Sequence, residues 1–204
     1  MILNKIVSKA FSFFVSYFLL LISYFLLSIF LSSCSSNNVT TDDSLKKYFD
    51  QYHVTGTFGL FNNGQGQFTI YNLKRFTDSA YLPASTFKIV NSLIGLQTGV
   101  INNEKMVIPW DGVKRSNEAW NKDLTMEEAF RVSAVPYYQE VARRIGKDAM
   151  QRWLDTLGYA AKYGRAVIHN DIDSFWLNND IKITADEQLG LVKRLYFDQL
   201  PFQQ

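Results

Sequence analysis

Pro83-Ala84-Ser85-Thr86-Phe87-Lys88-Ile89 places a serine hydroxyl three residues before a lysine amine, at a position suited to open a helix. Side chains at i and i+3 share one helix face, so Ser85 and Lys88 become neighbours if the helix forms. Pro83 suits a helix start, because its fixed φ and missing N–H cost nothing there. The segment from Lys88 to Gly99 is apolar enough to be buried, and Gly99 provides a stop. A serine at a positive helix end beside a lysine among apolar neighbours is a nucleophile with its base. The pattern alone has little specificity. Ser44-Leu45-Lys46-Lys47 fits it too, and about one chance match per 200 residues follows from average composition. Its bland reading is a helix-capping serine and a solvated lysine.

Two further stretches lower the weight of that reading. Thr125-Met126-Glu127-Glu128 is a capping box, with Ala129, Phe130 and Val132 expected on the apolar side of its helix. Pro136 is expected to interrupt, with a second helix over Tyr137 to Gly146, so Ser133-Ala134-Val135 falls in a turn. A hydroxyl there can project into a cleft, although an interhelical capping serine is the simpler alternative. Asp173-Ser174-Phe175-Trp176-Leu177 is aromatic-rich and predicted as strand or loop. Trp176 is either ordinary core or an apolar wall over a lysine, its indole N–H donating to an anion.

In that order, Ser-Thr-Phe-Lys, Ser-Ala-Val and Asp-Ser-Phe-Trp-Leu resemble the class D (oxacillinase-type) serine β-lactamases. Trp110-Asp111-Gly112, Trp120-Asn121-Lys122-Asp123-Leu124-Thr125, Ala142-Arg143-Arg144-Ile145-Gly146 and Leu200-Pro201-Phe202 follow the same pattern, so the likeness runs from about Tyr81 to Phe202. Class A enzymes and many penicillin-binding proteins carry Ser-Asp-Asn where this chain has Ser-Ala-Val. The resemblance implies an α+β, penicillin-binding transpeptidase-like fold, a helical cluster beside an antiparallel sheet. It implies that Ser85 attacks a β-lactam carbonyl and forms an acyl-enzyme. It also implies that Lys88 takes up carbon dioxide from bicarbonate to become N6-carboxylysine, the general base, with no other cofactor. Trp176 is expected to hold that group, Val135 to line the wall, and Ser133 to relay a proton to the lactam nitrogen. The Ser85 N–H is expected to form half of an oxyanion hole. Tyr163-Gly164-Arg165 is the nearest counterpart of the family's Tyr-Gly-Asn triplet, making Tyr163 and Gly164 candidate pocket residues, although Tyr159 better fits the distance from the preceding helix.

The family's Lys-Thr-Gly or Lys-Ser-Gly triplet does not occur in the 204 residues, so its C-terminal strands and last helix are expected to be missing from this chain. Besides hydrolysis, the same chemistry leaves open a slowly deacylating transpeptidase or lactam sensor, or an inactive remnant. Val54 to Phe61 and Gln67 to Asn72, joined across Asn62-Asn63-Gly64-Gln65-Gly66, predict a β-hairpin. Helices are predicted over Lys147 to Thr156, and from the capping box Thr184-Ala185-Asp186-Glu187 toward Tyr196, the latter burying Leu189, Leu191, Val192 and Leu195.

Lys5 and Lys9 precede an apolar run from Phe11 to Leu31 that ends in Leu31-Ser32-Ser33-Cys34. This predicts a secretory signal over residues 1–33. Its ending resembles a bacterial lipobox, making Cys34 the lipidated first residue of the mature protein; an uncleaved anchor is the alternative. Residues 34–44 then form a flexible tether and 45–204 the partial domain, held by lipid to the bacterial membrane and facing the periplasm. Cys34 is the only cysteine, which excludes an intramolecular disulfide. A net charge of +2 with interspersed signs argues against nucleic-acid binding. Only His53 and His169 are present, neither at ligand spacing from another, so no zinc site and no Ser-His-Asp triad are expected.

Overall fold

Asn62 turns the chain for the predicted hairpin: its side-chain oxygen accepts from the N–H groups of Gly64 and Gln65 at 3.0 and 3.2 Å. In this computed structural model, which describes residue 17, residues 38–169 and residues 171–203, the turn joins β2 (Phe58–Asn62) to β3 (Gln67–Tyr71). The strands are antiparallel, Phe58 opposite Tyr71 and Asn62 opposite Gln67. The first strand of the hairpin therefore starts at Phe58 rather than Val54, which is exposed. Apart from residue 17, the expected signal over 1–33 lies outside the described residues, as does Cys34. Part of the expected tether is structured, however. Val39–Thr41 forms β1, parallel to β3, and Asp42 caps the 3-10 turn Asp43–Leu45 that follows. Residues 39–45 therefore belong to the domain rather than to a tether, with Val39–Thr41 completing a sheet ordered β1-β3-β2. That sheet is mixed rather than purely antiparallel.

After α1 (Lys46–Gln51) and the hairpin, α2 (Leu73–Asp78) packs Phe76 beneath β2. A Cβ on Gly59 would lie 2.3 Å from the Phe76 ring, so glycine is required there. β4 (Ala80–Tyr81) leads into the Pro83 segment and α3 (Phe87–Gln97). Gly99, at φ +72°, ends the helix in the left-handed region as its position predicted. β5 (Val107–Ile108) pairs with β6 (Leu124–Thr125), and the Thr125 capping box opens α4 (Met126–Arg131). Then follow α5 (Val135–Ile145), α6 (Lys147–Leu157), β7 (Ile183–Thr184) and α7 (Ala185–Tyr196), the last behind the Thr184 capping box.

Phe87, Val90 and Ile94 of α3 are fully buried with Tyr138, Val141 and Ala142 of α5, and Phe175 and Trp176 join the same core. Gly95 lets the chain close tightly, since a Cβ there would sit 2.7 Å from Ile101. Pro136 does not interrupt the helix as expected but lies in the first turn of α5, where a proline forfeits no hydrogen bond. The reversal before it comes from Ser133, at φ +54°. Phe130 and Val192, expected to be buried, are 47% and 39% exposed, because neighbouring positions on their short helices face the core. Among the described residues, no helix is long and apolar enough to cross a membrane.

Candidate active site

The serine is carried on a strained elbow. Ala84 has φ +46°, a left-handed conformation that a residue with a Cβ adopts only when its surroundings force it. Three contacts do so. The Ala84 N–H donates to the Trp176 carbonyl at 3.1 Å, the Thr86 N–H returns to the Pro83 carbonyl at 3.0 Å, and Pro83 is buried. A 3-10 turn over Ala84–Thr86 then feeds directly into α3. Ser85 consequently faces solvent, while Lys88, one turn on, is 2% exposed.

Three predicted residues converge on one oxygen. Lys88 Nζ donates to Ser85 Oγ at 2.9 Å, and Ser133 Oγ donates to it at 2.8 Å across 48 residues of chain. Ser133 is held by its turn: its N–H donates to the Phe130 carbonyl, and Ala134 N–H to that of Ala129. Trp120 Nε1 pins the preceding Val132 carbonyl at 3.0 Å. Val135, half-buried, is the first residue of α5.

Burial pushes the Lys88 amine below its ordinary pKa, since desolvation penalises the ammonium form. Behind it lies a polar layer between α3 and α5. The Tyr138 ring lies 5.8 Å from Lys88 Nζ, its hydroxyl is 2.9 Å from Ser92 Oγ, and its carbonyl accepts from Asn91 Nδ2 at 3.0 Å. Burial pushes the Tyr138 hydroxyl up to about 12.

Trp176 sits in a turn rather than a strand and is fully buried, stacked on Phe87 at 5.2 Å and edge-on to Phe175. Among the described residues its Nε1–H has no hydrogen-bond partner, a rare condition for a buried donor. The Tyr163 and Gly164 pair is not brought to this cluster. Tyr163 is 64% exposed and donates to the Asp78 carbonyl, while Arg165 pairs with Asp155. The tyrosine against the nucleophile helix is Tyr159, 3% exposed and edge-on to Phe87 at 5.5 Å. Its position directly after α6 was the available signal, and the later Tyr-Gly pair obscured it. Sequence reasoning also missed Tyr138 and Gln188, whose side-chain oxygen lies 3.2 Å from the Thr86 hydroxyl. Neither belongs to a short motif.

Residues 37–198 match the penicillin binding protein transpeptidase domain. The chain is 38% identical over 179 residues to Beta-lactamase OXA-5 of Pseudomonas aeruginosa, covering 88% of this chain and 65% of that relative. It is 32% identical over 167 residues to Regulatory protein BlaR1 of Bacillus licheniformis, covering 82% of this chain and 27% of that protein. Among solved structures, a class D β-lactamase from Bacillus subtilis superposes with a TM-score of 0.71 at 41% identity, covering 80% of this chain and 67% of that one. The chain therefore spans about two thirds of the length of these β-lactamases and about a quarter of that of BlaR1. By its fold, its motifs and these likenesses, the chain belongs to the class D serine β-lactamases.

Proposed function

We propose that this protein hydrolyses penicillin-type β-lactams through an acyl-enzyme on Ser85. The observation that carries this reading is the buried Lys88 amine 2.9 Å from an exposed Ser85 Oγ that also receives Ser133 Oγ. Ser85 Oγ would bond to the lactam carbonyl carbon as the ring C–N bond breaks. Its proton passes to the Lys88 side and is relayed through Ser133, which gives up its own proton as it takes one back, to the departing nitrogen. The Ser85 N–H, in the 3-10 turn that leads into α3, has no helix bond to make by its position and suits the developing oxyanion.

An ammonium cannot accept the Ser85 proton, so Lys88 must react as a neutral amine or a derivative of one. Its depressed pKa favours the neutral form. Taking up carbon dioxide with loss of a proton, that amine would supply a carbamate base, for which the unpartnered Trp176 Nε1–H is a fitting donor. The amine is poorly solvated, with Lys88 2% exposed and the Tyr138 ring 5.8 Å from Nζ.

A second reading, a lasting acyl-enzyme of the sensor or transpeptidase kind, draws on the match to the penicillin binding protein transpeptidase domain and on the likeness to a protein named as regulatory. Export and lipid attachment through Cys34 to the bacterial membrane, facing the periplasm, belong to the proposal on the strength of the Leu31-Ser32-Ser33-Cys34 ending.

Intact-mass spectrometry of the full chain in detergent with benzylpenicillin and bicarbonate tests the reading. An adduct that forms and decays is expected, and Ser85→Ala should form none. A lasting adduct favours the second reading, and no adduct on the wild-type chain overturns both.

A further inference from the structure

The Ser85 elbow has a clamp from the other end of the domain. β4 pairs with β7, Ala80 opposite Thr184 and Tyr81 opposite Ile183, which anchors the first turn of α7 beside the chain entering Pro83. From that turn Gln188 reaches the residue next to the nucleophile. The Thr86 hydroxyl lies 2.6 Å from the Pro83 carbonyl and 3.2 Å from Gln188 Oε1, so two acceptors compete for one proton. Meanwhile Gln188 Nε2 is buried without a partner among the described residues. Amide oxygen and nitrogen are told apart by their partners, and turning this amide by 180° ends the competition for the Thr86 proton. Nε2 then donates to Thr86 Oγ1, and Thr86 donates its single proton to Pro83. The fully buried Thr184, capping α7 through Glu187, holds the base of the clamp rigid.

We infer that Gln188 is a positioning residue, donating its amide N–H to Thr86 and so holding the strained Ala84–Ser85–Thr86 elbow in the orientation that aims Ser85. This rests on Ser85 being the acylated serine. A left-handed alanine persists only where its surroundings over-determine it. Gln188 adds a fourth contact to the three that hold Ala84, and reaches farthest along the chain, 102 residues from Thr86.

The test compares Gln188→Met, Gln188→Glu, Thr86→Val and Thr86→Ser in the full chain. Hydrogen–deuterium exchange of a peptide spanning residues 81–88 is read first, since it needs no activity. Exchange about tenfold faster is expected in Gln188→Met, Gln188→Glu and Thr86→Val, with Thr86→Ser matching wild type. Acylation by benzylpenicillin is then followed by intact mass. The same three variants should lose about tenfold in acylation rate at saturating lactam with little change in half-saturating concentration, and Gln188→Met/Thr86→Val should be no worse than either alone. Unchanged exchange in Gln188→Met overturns the clamp, and wild-type behaviour of Gln188→Glu overturns donation by the amide. Faster exchange with undiminished acylation overturns the positioning role. A wild-type chain that never acylates instead sinks the proposed function, while the exchange result still decides the clamp.

Discussion

Trp176→Phe separates a structural indole from one that waits for an anion. In the unmodified protein the buried Nε1–H is unpartnered, which costs about 1–3 kcal/mol. Phenylalanine deletes that donor and keeps the aromatic face against Phe87. It leaves a void of roughly 40 Å³, costing about 1 kcal/mol at ~24 cal/mol per Å³. The two effects nearly offset, so in carbon-dioxide-depleted buffer the variant should melt at or slightly above the wild-type temperature, by ~0–4 °C. Bicarbonate should reverse the order. A carbamate on Lys88 gives the wild-type indole a charged acceptor, worth about 1.5–3 kcal/mol, that the variant cannot match. Carbamate formation should then weaken roughly 10- to 100-fold in Trp176→Phe, at ~1.4 kcal/mol per tenfold. Thermal melts with and without bicarbonate, together with the carbamate carbon signal from 13C-bicarbonate in NMR, read both quantities. Equal bicarbonate responses in the two proteins would refute the reasoning. So would a Trp176→Phe protein already several degrees less stable in depleted buffer, since that indole would have to be partnered.

Lys88 also sets a pH signature. Its native pKa lies below the ordinary 10.5, so between the two values the unfolded chain binds a proton that the native chain has released. Stability therefore rises with pH through that window, and Lys88→Met should flatten the rise in denaturant titrations. The comparison is read below pH 10, because Tyr137 and Tyr138 shift upward from 10.0 to about 12 and contribute the opposite slope above it. Tyr138→Phe strands the buried Ser92 hydroxyl, and a loss of about 1–3 kcal/mol is expected by urea unfolding. Adding Ser92→Ala should recover part of it, whereas strict additivity would contradict the pairing. Gly95→Ala gains about 1 kcal/mol of helix propensity but drives a methyl to within 2.7 Å of Ile101, an overpacking worth about 1–3 kcal/mol. A net loss near ~1 kcal/mol in thermal melts is expected, and a stabilised variant would show that Ile101 yields freely.

What could be read in the chain alone was whatever its own near neighbours decide. The i, i+3 spacing of Ser85 and Lys88 is a local fact and became a 2.9 Å contact. The two capping boxes are equally local, four residues each, and both formed with their reciprocal hydrogen bonds. Misreadings occurred where distant packing chooses between equivalent local options. Tyr159 and Tyr163 both suit a Tyr-containing motif, and only contact with Phe87 selects the first. Phe130 is as apolar as a core residue, yet its helix turns Ala129 inward instead. Val39–Thr41 is short and polar-flanked, and becomes a strand because β3 offers an edge. The elbow is the clearest case. No local preference puts alanine at φ +46°, and the strain of about 1–3 kcal/mol is borne by Trp176, 92 residues beyond Ala84, and by Gln188, 102 beyond Thr86. The reacting groups thus lie within one helical turn and one interhelical turn, where a motif can record them. The groups that hold them in reacting geometry sit on other elements, at separations no short pattern spans. A motif match in this fold reports that the chemistry is encoded, and whether Ser85 is aimed depends on those distant contacts.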